Sequence, residues 1–455
     1  MTPGATIWLG GGTYADGPVA GGYVSQLTGT AAAPIVVRQF PGERATVTNF
    51  LGVQGGYTWY WGFEVVNTVQ QAGSELFGID DQAPGAKFIN LVVHDATGSG
   101  IFIWPQGTDA EVYGSISYNN GRTDNLDHGI YCQSQSSTLL EDNIVFDNWA
   151  FGIHCFAKVG PYLQNIAIEG NVAFNDYVWG VSSDADMFVG GHFPASGIVI
   201  DQNYTYRSND ANTKAADVGY NLVVNHDVVL TNNYFVGGWA RIGSWATALV
   251  TGNTLFNFAH SGLLWNLGDV SGQTWSGNTF FGDSTALAWR HDTSATIAFA
   301  GWRALTGLVD PGTYGGTAPS GIKIVVRPNR YEPGRANIIV YNWAQQSAVS
   351  VDVSGILDMG DRYVVQNVQD FYGPPAASGT YTGKPLELPM LGVTAPTPLG
   401  VVTAQAAPVT GPTFNVFVLM RTRHGRCHPG RPEVHEGGEV ESCGPPHPLF
   451  SPLRR

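Results

Sequence analysis

The sequence predicts an all-β chain in which a long solenoid is followed by an antiparallel β-sandwich. The first observation is a phrase, apolar-x-x-Asn-apolar-x-aromatic, that recurs through the middle of the chain. The second is composition: only 13% of the 455 residues are charged and 59 are glycine. Short runs of β-branched and aromatic residues are broken by Gly, Asn and Asp, as in all-β proteins. The third is a change near residue 321, after which the predicted strands become longer and alternate apolar with polar residues.

The repeated phrase sets the period of the solenoid. Its copies are centred on Asn143, Asn171, Asn203, Asn233, Asn253 and Asn278, with two weaker copies at Leu91 and Ser115. Successive centres are 24, 28, 28, 32, 30, 20 and 25 residues apart. Repeats of this length with short strands stack on one another and bury one continuous core. We interpret the repeated Asn side chains as an internal ladder of amide hydrogen bonds rather than as catalytic groups.

The pattern divides the chain into four parts. Residues 1–290 form the solenoid, 291–320 a linker without the repeat, and 321–420 the sandwich of about one hundred residues. Residues 421–455 are rich in Arg, His, Pro and Gly and have little apolar periodicity. We interpret this last part as a disordered, non-native tail.

Charge and cysteine content exclude several classes of protein. The net charge is −14, from 22 basic and 36 acidic residues, which argues against a nucleic-acid surface. No apolar stretch has the length of a membrane span. Cys132 and Cys155 occupy the same place in successive repeats, so they are expected to stack inside the coil as small buried residues.

Two segments carry a resemblance to a known superfamily. The runs Asp127–Tyr131 and Phe151–His154, with the phrases at Asn143 and Asn171, resemble right-handed parallel β-helix proteins. That superfamily includes pectate-lyase-like and polygalacturonase-like proteins and those with carbohydrate-binding and sugar-hydrolysis repeats. The resemblance covers residues 5 to 290, and it implies a right-handed parallel β-helix that acts on or binds polysaccharides outside the cell.

The resemblance extends to the second domain but not to a particular reaction. The segment Tyr331–Trp343 looks like a β-sandwich module that follows such helices in bacterial proteins. The ordered catalytic patterns of polygalacturonase-like enzymes and of calcium-dependent pectate lyases are absent. Calcium is a possible cofactor that the sequence does not decide. The folded part contains no Cys and His residues at the spacing typical of zinc sites. We expect a secreted or extracellular protein, although no signal peptide is visible. The chain opens directly with a predicted turn and the strand at residues 6–9, which suggests a missing upstream segment.

An insertion marks the predicted site. From the centres at 91, 143 and 171, the next inward Ile or Val comes ten residues later, but from Ser115 the matching Ile130 comes fifteen later. Insertions in surface turns cost little stability and often carry sites. This one brings together Arg122, Asp124, Asp127 and His128.

Strand alternation extends the predicted site onto a sheet face. If Ile130 and Ile153 point inward, Tyr131 and His154 point outward as neighbours about 4.8 Å apart. Further polar groups on this face are predicted to be Gln133, Lys158 and Asp184. Aromatic rings suited to the apolar faces of sugars are predicted to be Trp104, Trp149 and Trp179.

These residues fit two reactions. In β-elimination, His128 or Tyr131 would take a proton beside a uronate carboxyl group, with Arg122 or Lys158 countering the charge. In hydrolysis, Asp127 with Asp124 or Asp184 would act as acid and base. We therefore predict a polysaccharide-degrading enzyme, hydrolase or lyase, with catalytic residues His128, Asp127, Tyr131 and His154. The alternative is a non-catalytic glycan-binding or surface-attachment protein, for which the aromatic residues suffice.

Overall fold

The computed structural model describes residues 1–15, 22–69, 77–122, 126–177, 185–207, 213–258, 262–399 and 407–422, with 433–434 and 440–441. The described chain is all-β, as predicted. Three long parallel sheets wind around one axis as a right-handed parallel β-helix, and a smaller antiparallel domain follows them.

Sheet A has eleven parallel strands, one from each coil. They are β1 Thr6–Leu9, β4 Ile35–Gln39, β7 Thr58–Trp61, β10 Lys87–Ile89, β13 Ala110–Tyr113, β16 Thr138–Glu141, β19 Ile166–Glu169, β22 Ile198–Asp201, β25 Asn225–Thr231, β28 Trp245–Thr251 and β31 Gln273–Ser276.

Sheet B follows sheet A in each coil and has twelve strands. They are β2 Gly12–Tyr14, β5 Ala45–Thr48, β8 Glu64–Val66, β11 Val92–His94, β14 Ile116–Tyr118, β17 Ile144–Phe146, β20 Val172–Phe174, β23 Tyr204–Tyr206, β26 Tyr234–Val236, β29 Thr254–Phe256, β32 Thr279–Phe281 and β34 Thr313–Gly316.

Sheet C completes each coil and has eleven strands. They are β3 Gly22–Ser25, β6 Phe50–Val53, β9 Ile79–Asp81, β12 Ile101–Ile103, β15 Ile130–Cys132, β18 Ile153–Ala157, β21 Ala185–Gly191, β24 Lys214–Val218, β27 Trp239–Ile242, β30 Leu264–Asn266 and β33 Trp289–His291.

The turn between sheets A and B explains the repeated phrase. The residue before the ladder position has a positive φ, 56° at Asp142 and 68° at Gly170, which turns the chain sharply. The buried amide of Asn171 then links two neighbouring coils: its Nδ2 donates to Asn203 at 3.1 Å, and its Oδ1 accepts from Asn143 at 2.9 Å. The ladder continues in this way to Asn278, which confirms the predicted internal role of the Asn residues.

The turn between sheets B and C carries a second ladder that the sequence analysis did not find. Asn120 donates to Asn148 at 2.9 Å, and Asn148 donates to Asp176 at 2.8 Å. Inside sheet C, Cys132 and Cys155 are paired in register and fully buried, as the spacing of the repeats predicted.

The segment 291–320, predicted to be a linker, instead closes the end of the solenoid. It holds helix α1 (Phe299–Thr306) and strand β34, which extends sheet B. The fully buried Trp302 packs 4.7 Å from Trp289 and donates its indole N–H to Asn266 at 2.7 Å. The repeat phrase is absent here because this segment caps the last coil with a helix rather than forming another full coil.

The C-terminal domain is a five-stranded antiparallel sheet and a two-stranded sheet around a shared apolar core. Its strands are β35 Ile322–Pro328, β36 Arg335–Asn342, β37 Ala348–Val351, β38 Arg362–Asn367, β39 Ala377–Thr380, β40 Leu386–Pro389 and β41 Phe414–Thr422, with a 3₁₀ turn at Val368–Asp370.

The predicted tail lies almost wholly outside the described residues; Glu433–Val434 (β42) and Val440–Glu441 (β43) form a short antiparallel pair.

Among the described residues, the second domain packs against sheet B and part of sheet A, and no such packing is present on sheet C. Tyr341, Phe414 and Val416 pack against the outward aromatic side chains of sheet B, including Phe174 and Tyr206. The hydroxyl of Tyr341 also donates to the backbone oxygen of Thr205 at 2.8 Å. The outward face of sheet C is therefore the long face on which a functional site is to be sought.

Candidate functional site

The outward face of sheet C presents one side chain per coil in a continuous row. In-register pairing gives the order Asp80, Phe102, Tyr131, His154, Phe188, Asp217, Arg241, Trp265 and Arg290. Neighbours in such a row are about 4.8 Å apart. The first half of the row is mainly aromatic, whereas the second half contains two arginines, an aspartate and a tryptophan, so the two halves differ chemically.

The predicted pair Tyr131 and His154 does meet on this face, and His128 joins it. The rings of Tyr131 and His154 are 5.1 Å apart, and Nδ1 of His154 lies 2.8 Å from Nε2 of His128. All three residues are buried, however, with 1% of His128 and 7% of His154 exposed. Burial lowers the pKa of His128 to about 3 and that of His154 well below its ordinary value, so both rings are neutral at pH 7.

This burial differs from the solvent-facing acid–base centre that the sequence predicted. The rings of Phe151 and Phe188 lie 4.3 and 4.9 Å from that of His154. The hydroxyl of Tyr131 donates to the backbone oxygen of Phe156 and accepts from Gln133, both at 2.9 Å. Alternation gave the correct outward direction, but Phe151 of the same coil and Phe188 of the next coil fill the space around His154.

The predicted insertion contributes less to this face than expected. The buried carboxylate of Asp127 accepts from the backbone N–H of Arg122 at 3.1 Å, so it binds its own loop. Trp149 is buried, and the indole of Trp104 donates to Asp80 at 2.5 Å. Three further predicted residues, Asp124, Trp179 and Asp184, lie outside the described residues.

A more accessible group lies where β18, β21 and β24 end. We call it the edge cluster: Phe156, Lys158, His192 and Tyr220. The ring of His192 is 5.4 Å from that of Phe156 and 5.3 Å from that of Tyr220, and Phe156 and Tyr220 are 5.2 Å apart. His192 and Lys158 are exposed, whereas Phe156 and Tyr220 are half-buried.

Backbone pairing places the predicted Lys158 beside His192. Ala157 pairs with Gly191, and the N–H of His192 donates to the backbone oxygen of Ala157 at 2.9 Å. Lys158 and His192 each follow directly after this pair on adjacent coils. The edge cluster thus combines a cation, an imidazole and a phenol at one end of three neighbouring strands.

The second half of the row and the neighbouring pair Lys214 and Trp239 together form a group that we call the cation–indole patch. Its members are Lys214, Asp217, Trp239, Arg241, Trp265 and Arg290. The two indoles stack at 5.8 Å. Asp217, which is fully buried, accepts from Nε and Nη2 of Arg241 at 2.6 and 2.7 Å. Burial raises the pKa of Asp217, and the attraction of Arg241 and Lys214 opposes that rise.

Sequence reasoning missed His192, Tyr220 and all six residues of the patch. The repeat register was available as a signal, because each outward residue follows an inward apolar residue such as Ala216 or Ala240. The irregular stretch 184–194 interrupted the phase, and the extra residue Ala215 produces a bulge in β24. Both features shift the spacing that the phrase would otherwise have predicted.

Among the described residues, no three His, Cys, Asp or Glu side chains are grouped so that they could hold a metal ion. Within the same part of the chain, no helix has both the length and the apolarity needed to span a bilayer.

Comparisons with known proteins identify the solenoid. Residues 62–186 match the family model described as the right handed beta helix region. The chain is similar to solved structures of three proteins in particular. They are pectate lyase Pel9A (18% identity, 66% of this chain and 70% of that one, TM-score 0.41), the A-module of Azotobacter vinelandii mannuronan C-5 epimerase AlgE4 (14%, 70% and 88%, 0.45) and an alginate lyase from Paenibacillus sp. str. FPU-7 (16%, 70% and 93%, 0.40). No curated protein matches the chain.

Proposed function

We propose that this protein is an extracellular polysaccharide lyase that binds an extended, uronate-containing glycan along the outward face of sheet C. The observation that carries the proposal is the edge cluster, where the exposed His192 and the half-buried Tyr220 lie 5.3 Å apart beside Phe156. An imidazole and a phenol at this separation can serve as base and acid on one sugar unit. Phe156 offers its ring to the apolar face of a sugar.

His192, Tyr220 and Lys158 of the edge cluster have separate roles in β-elimination. In β-elimination, a base removes the proton from the carbon beside the carboxyl group, and the bond from the neighbouring carbon to the bridging oxygen breaks. A carbon–carbon double bond forms, and an acid protonates the departing oxygen. His192 and Tyr220 fill the two proton-transfer roles, and the ammonium group of Lys158 counters the charge that develops on the carboxyl group.

In the described part of sheet C, the spacing of the outward carboxylates favours elimination over hydrolysis. A two-carboxylate hydrolase needs its acid and base within about 10 Å of each other. The described outward row of sheet C contains Asp80 and Asp217, which are five coils apart, or about 24 Å at the usual strand spacing. Asp217 moreover accepts hydrogen bonds from two nitrogens of Arg241, Nε and Nη2.

The test is a screen of the full chain against polyuronates and neutral polysaccharides, recording both reducing ends and the absorbance of unsaturated products. We expect both signals on a polyuronate. His192→Ala and Tyr220→Phe should each lower kcat by about 100-fold or more, the usual contribution of a general acid or base. His226→Ala is the matched control, since His226 is exposed on sheet A and should leave the rate unchanged.

Each other outcome decides against the proposal in a different way. Reducing ends without absorbance would identify a hydrolase. Cleavage that survives both edge-cluster substitutions would place the chemistry elsewhere on the chain. Polysaccharide binding without any cleavage would support the alternative, a non-catalytic glycan-binding protein.

A further inference from the structure

The cation–indole patch concentrates positive charge in a chain that is otherwise acidic. It contains three cations, Lys214, Arg241 and Arg290, and one carboxylate, that of Asp217. That carboxylate is used internally, by Arg241 at 2.6 Å and by Lys214 at 3.5 Å. The carboxylate of Asp292, which lies past the end of β33, accepts from the backbone N–H of Gly268. Among the described residues, Arg290 is thus the cation of the patch that no carboxylate pairs with, in a chain whose net charge is −14.

The cations of the patch lie against aromatic faces. The guanidinium carbon of Arg290 is 4.1 Å from the ring centre of Trp265, and the corresponding distance for Arg241 is 5.8 Å. The ammonium group of Lys214 lies 5.5 Å from the ring centre of Trp239. A cation–π contact orients a charged group without neutralising it, so the N–H donors of Arg290 stay available to an anion.

Arg290 is the residue best placed to receive a ligand. No described carboxylate forms an ion pair with it, and its buried Nε has no hydrogen-bond partner among the described residues. A buried guanidinium N–H without a partner is unfavourable, and a bidentate carboxylate would satisfy it. Trp265, half-exposed beside Arg290, presents an apolar ring of the kind on which sugars pack.

We infer that the cation–indole patch is a distal subsite that binds the carboxylate of a uronate sugar, with Arg290 on the carboxylate and Trp265 under the ring. This inference rests on the proposed function, because it assigns a further sugar position to the same glycan. The strand of Trp265 is three coils from that of His192, so the subsite lies about 14 Å along the face from the edge cluster. A glycan that spans this distance contacts both groups at once.

The experiment measures binding of short oligouronates (of galacturonate and of mannuronate) and of neutral oligosaccharides of equal length by calorimetry on the full chain. We expect the oligouronates to bind more tightly and their affinity to fall as salt rises. Arg290→Gln should weaken oligouronate binding by about tenfold and leave neutral binding unchanged. Arg303→Gln is the matched control, because Arg303 also lies over an aromatic ring, Phe299 at 5.9 Å, but is exposed on α1 away from this face.

The outcomes separate this inference from the proposed function. Oligouronate binding that is lost in Arg290→Gln, in a protein that cleaves nothing, would support the subsite and overturn the lyase. Cleavage of a polyuronate with KM unchanged in Arg290→Gln would support the lyase and overturn the subsite. Equal affinity for neutral and acidic ligands, or no binding of either oligouronate, would also overturn the subsite. Melting temperatures of both variants show whether each is folded.

Discussion

The Nδ1 atom of His154 lies 2.8 Å from the Nε2 atom of His128, inside a group of aromatic rings on adjacent coils. One of these nitrogens must donate and the other accept, so the contact is a hydrogen bond between two neutral imidazoles. Phe151 packs against both rings, at 5.4 Å from His128 and 4.3 Å from His154. The pair therefore joins two coils through a buried contact that depends on both rings being uncharged.

This dependence predicts acid sensitivity. Unfolded histidine has a pKa near 6.5, whereas burial lowers the folded pKa of His128 to about 3 and that of His154 well below its ordinary value. The stability that the neutral pair provides is present above about pH 6.5 and is lost as the pH falls towards the folded values. Each histidine should lower the free energy of unfolding by about 1.4 kcal/mol per pH unit in that range.

Urea unfolding at several values between pH 7 and pH 4 measures this slope. The double variant His128→Phe/His154→Phe should have a shallower slope than the wild type, because neither site can take up a proton on unfolding. His226→Phe, at an exposed position on sheet A, is the control for loss of a histidine. Equal slopes in the wild type and the double variant would contradict the prediction.

The Asn ladder should be a large source of stability. The side chain of Asn171 is fully buried and donates to Asn203 and to the backbone oxygen of Leu140, at 3.1 and 2.8 Å. Asn171→Ala leaves several buried polar groups without partners, at about 1–3 kcal/mol each. We expect chemical denaturation to show a loss of at least about 2 kcal/mol, while Gln106→Ala, in an exposed turn, changes little. A loss below 1 kcal/mol would mean that neighbouring coils or water replace the amide.

Gly152, which precedes the inward Ile153, should tolerate no larger residue. A Cβ at Gly152 would meet the carboxylate of Asp176 and lie 2.6 Å from the backbone oxygen of Asp186, both rigidly held. Gly152→Ala should therefore destabilise the solenoid by about 1–3 kcal/mol, as overpacking does. Gly355→Ala is the control, since a Cβ there has no atom within 4 Å. Equal melting temperatures for the two variants would show that the coils can separate at this point without cost.

A cluster around His94 connects the β-helix to the second domain. His94 of sheet B lies between two carboxylates, with Nδ1 2.6 Å from Asp95 and Nε2 2.8 Å from Glu64. The other oxygen of Asp95 accepts from the backbone N–H of Leu399 in the second domain at 2.6 Å. Arg44 binds Glu64 and lies 3.5 Å from the ring centre of Tyr372 of that domain.

The pKa shifts of His94 and Glu64 define the pH range in which this cluster stabilises the protein. Although burial opposes it, hydrogen bonds to Asp95 and Glu64 raise the pKa of His94, so its contribution is full below about pH 6.5 and is lost as the pH rises through the raised value. The pKa of Glu64 is lowered to about 2, against the effect of its burial, by His94, Arg44 and Thr46. Its contribution is full above about pH 4.5 and is lost as the pH falls through about 2.

Hydrogen exchange at the Leu399 amide measures this contact. At pH 6 we expect exchange in His94→Gln to be at least about tenfold faster than in the wild type, since a neutral amide cannot replace the imidazolium between two carboxylates. The difference should shrink as the pH rises. The amide of Val418, in the centre of the sandwich sheet, is the internal control. Equal exchange at Leu399 in both proteins would show that Asp95 holds this amide without His94.

The sequence by itself determined the architecture of this protein and much of its internal order. Short strands with a recurrent Asn predicted the solenoid, the amide ladder and the stacking of Cys132 on Cys155, because a coil of nearly fixed length returns each position to the same place. Alternation also predicted correctly that Tyr131 and His154 are outward neighbours. These properties depend on local periodicity, which a single sequence contains.

The tertiary structure decided which of the outward side chains solvent can reach. His128 and His154 are buried because Phe151 and Phe156 of the coil of His154, and Phe188 of the next coil, close around them. His192, by contrast, is exposed at the end of its strand. The cation–indole patch forms only when β24, β27, β30 and β33 are in register, and its residues are up to 76 positions apart, from Lys214 to Arg290. Packing between coils and the register of the last four strands thus determine the candidate site, and neither follows from the local pattern.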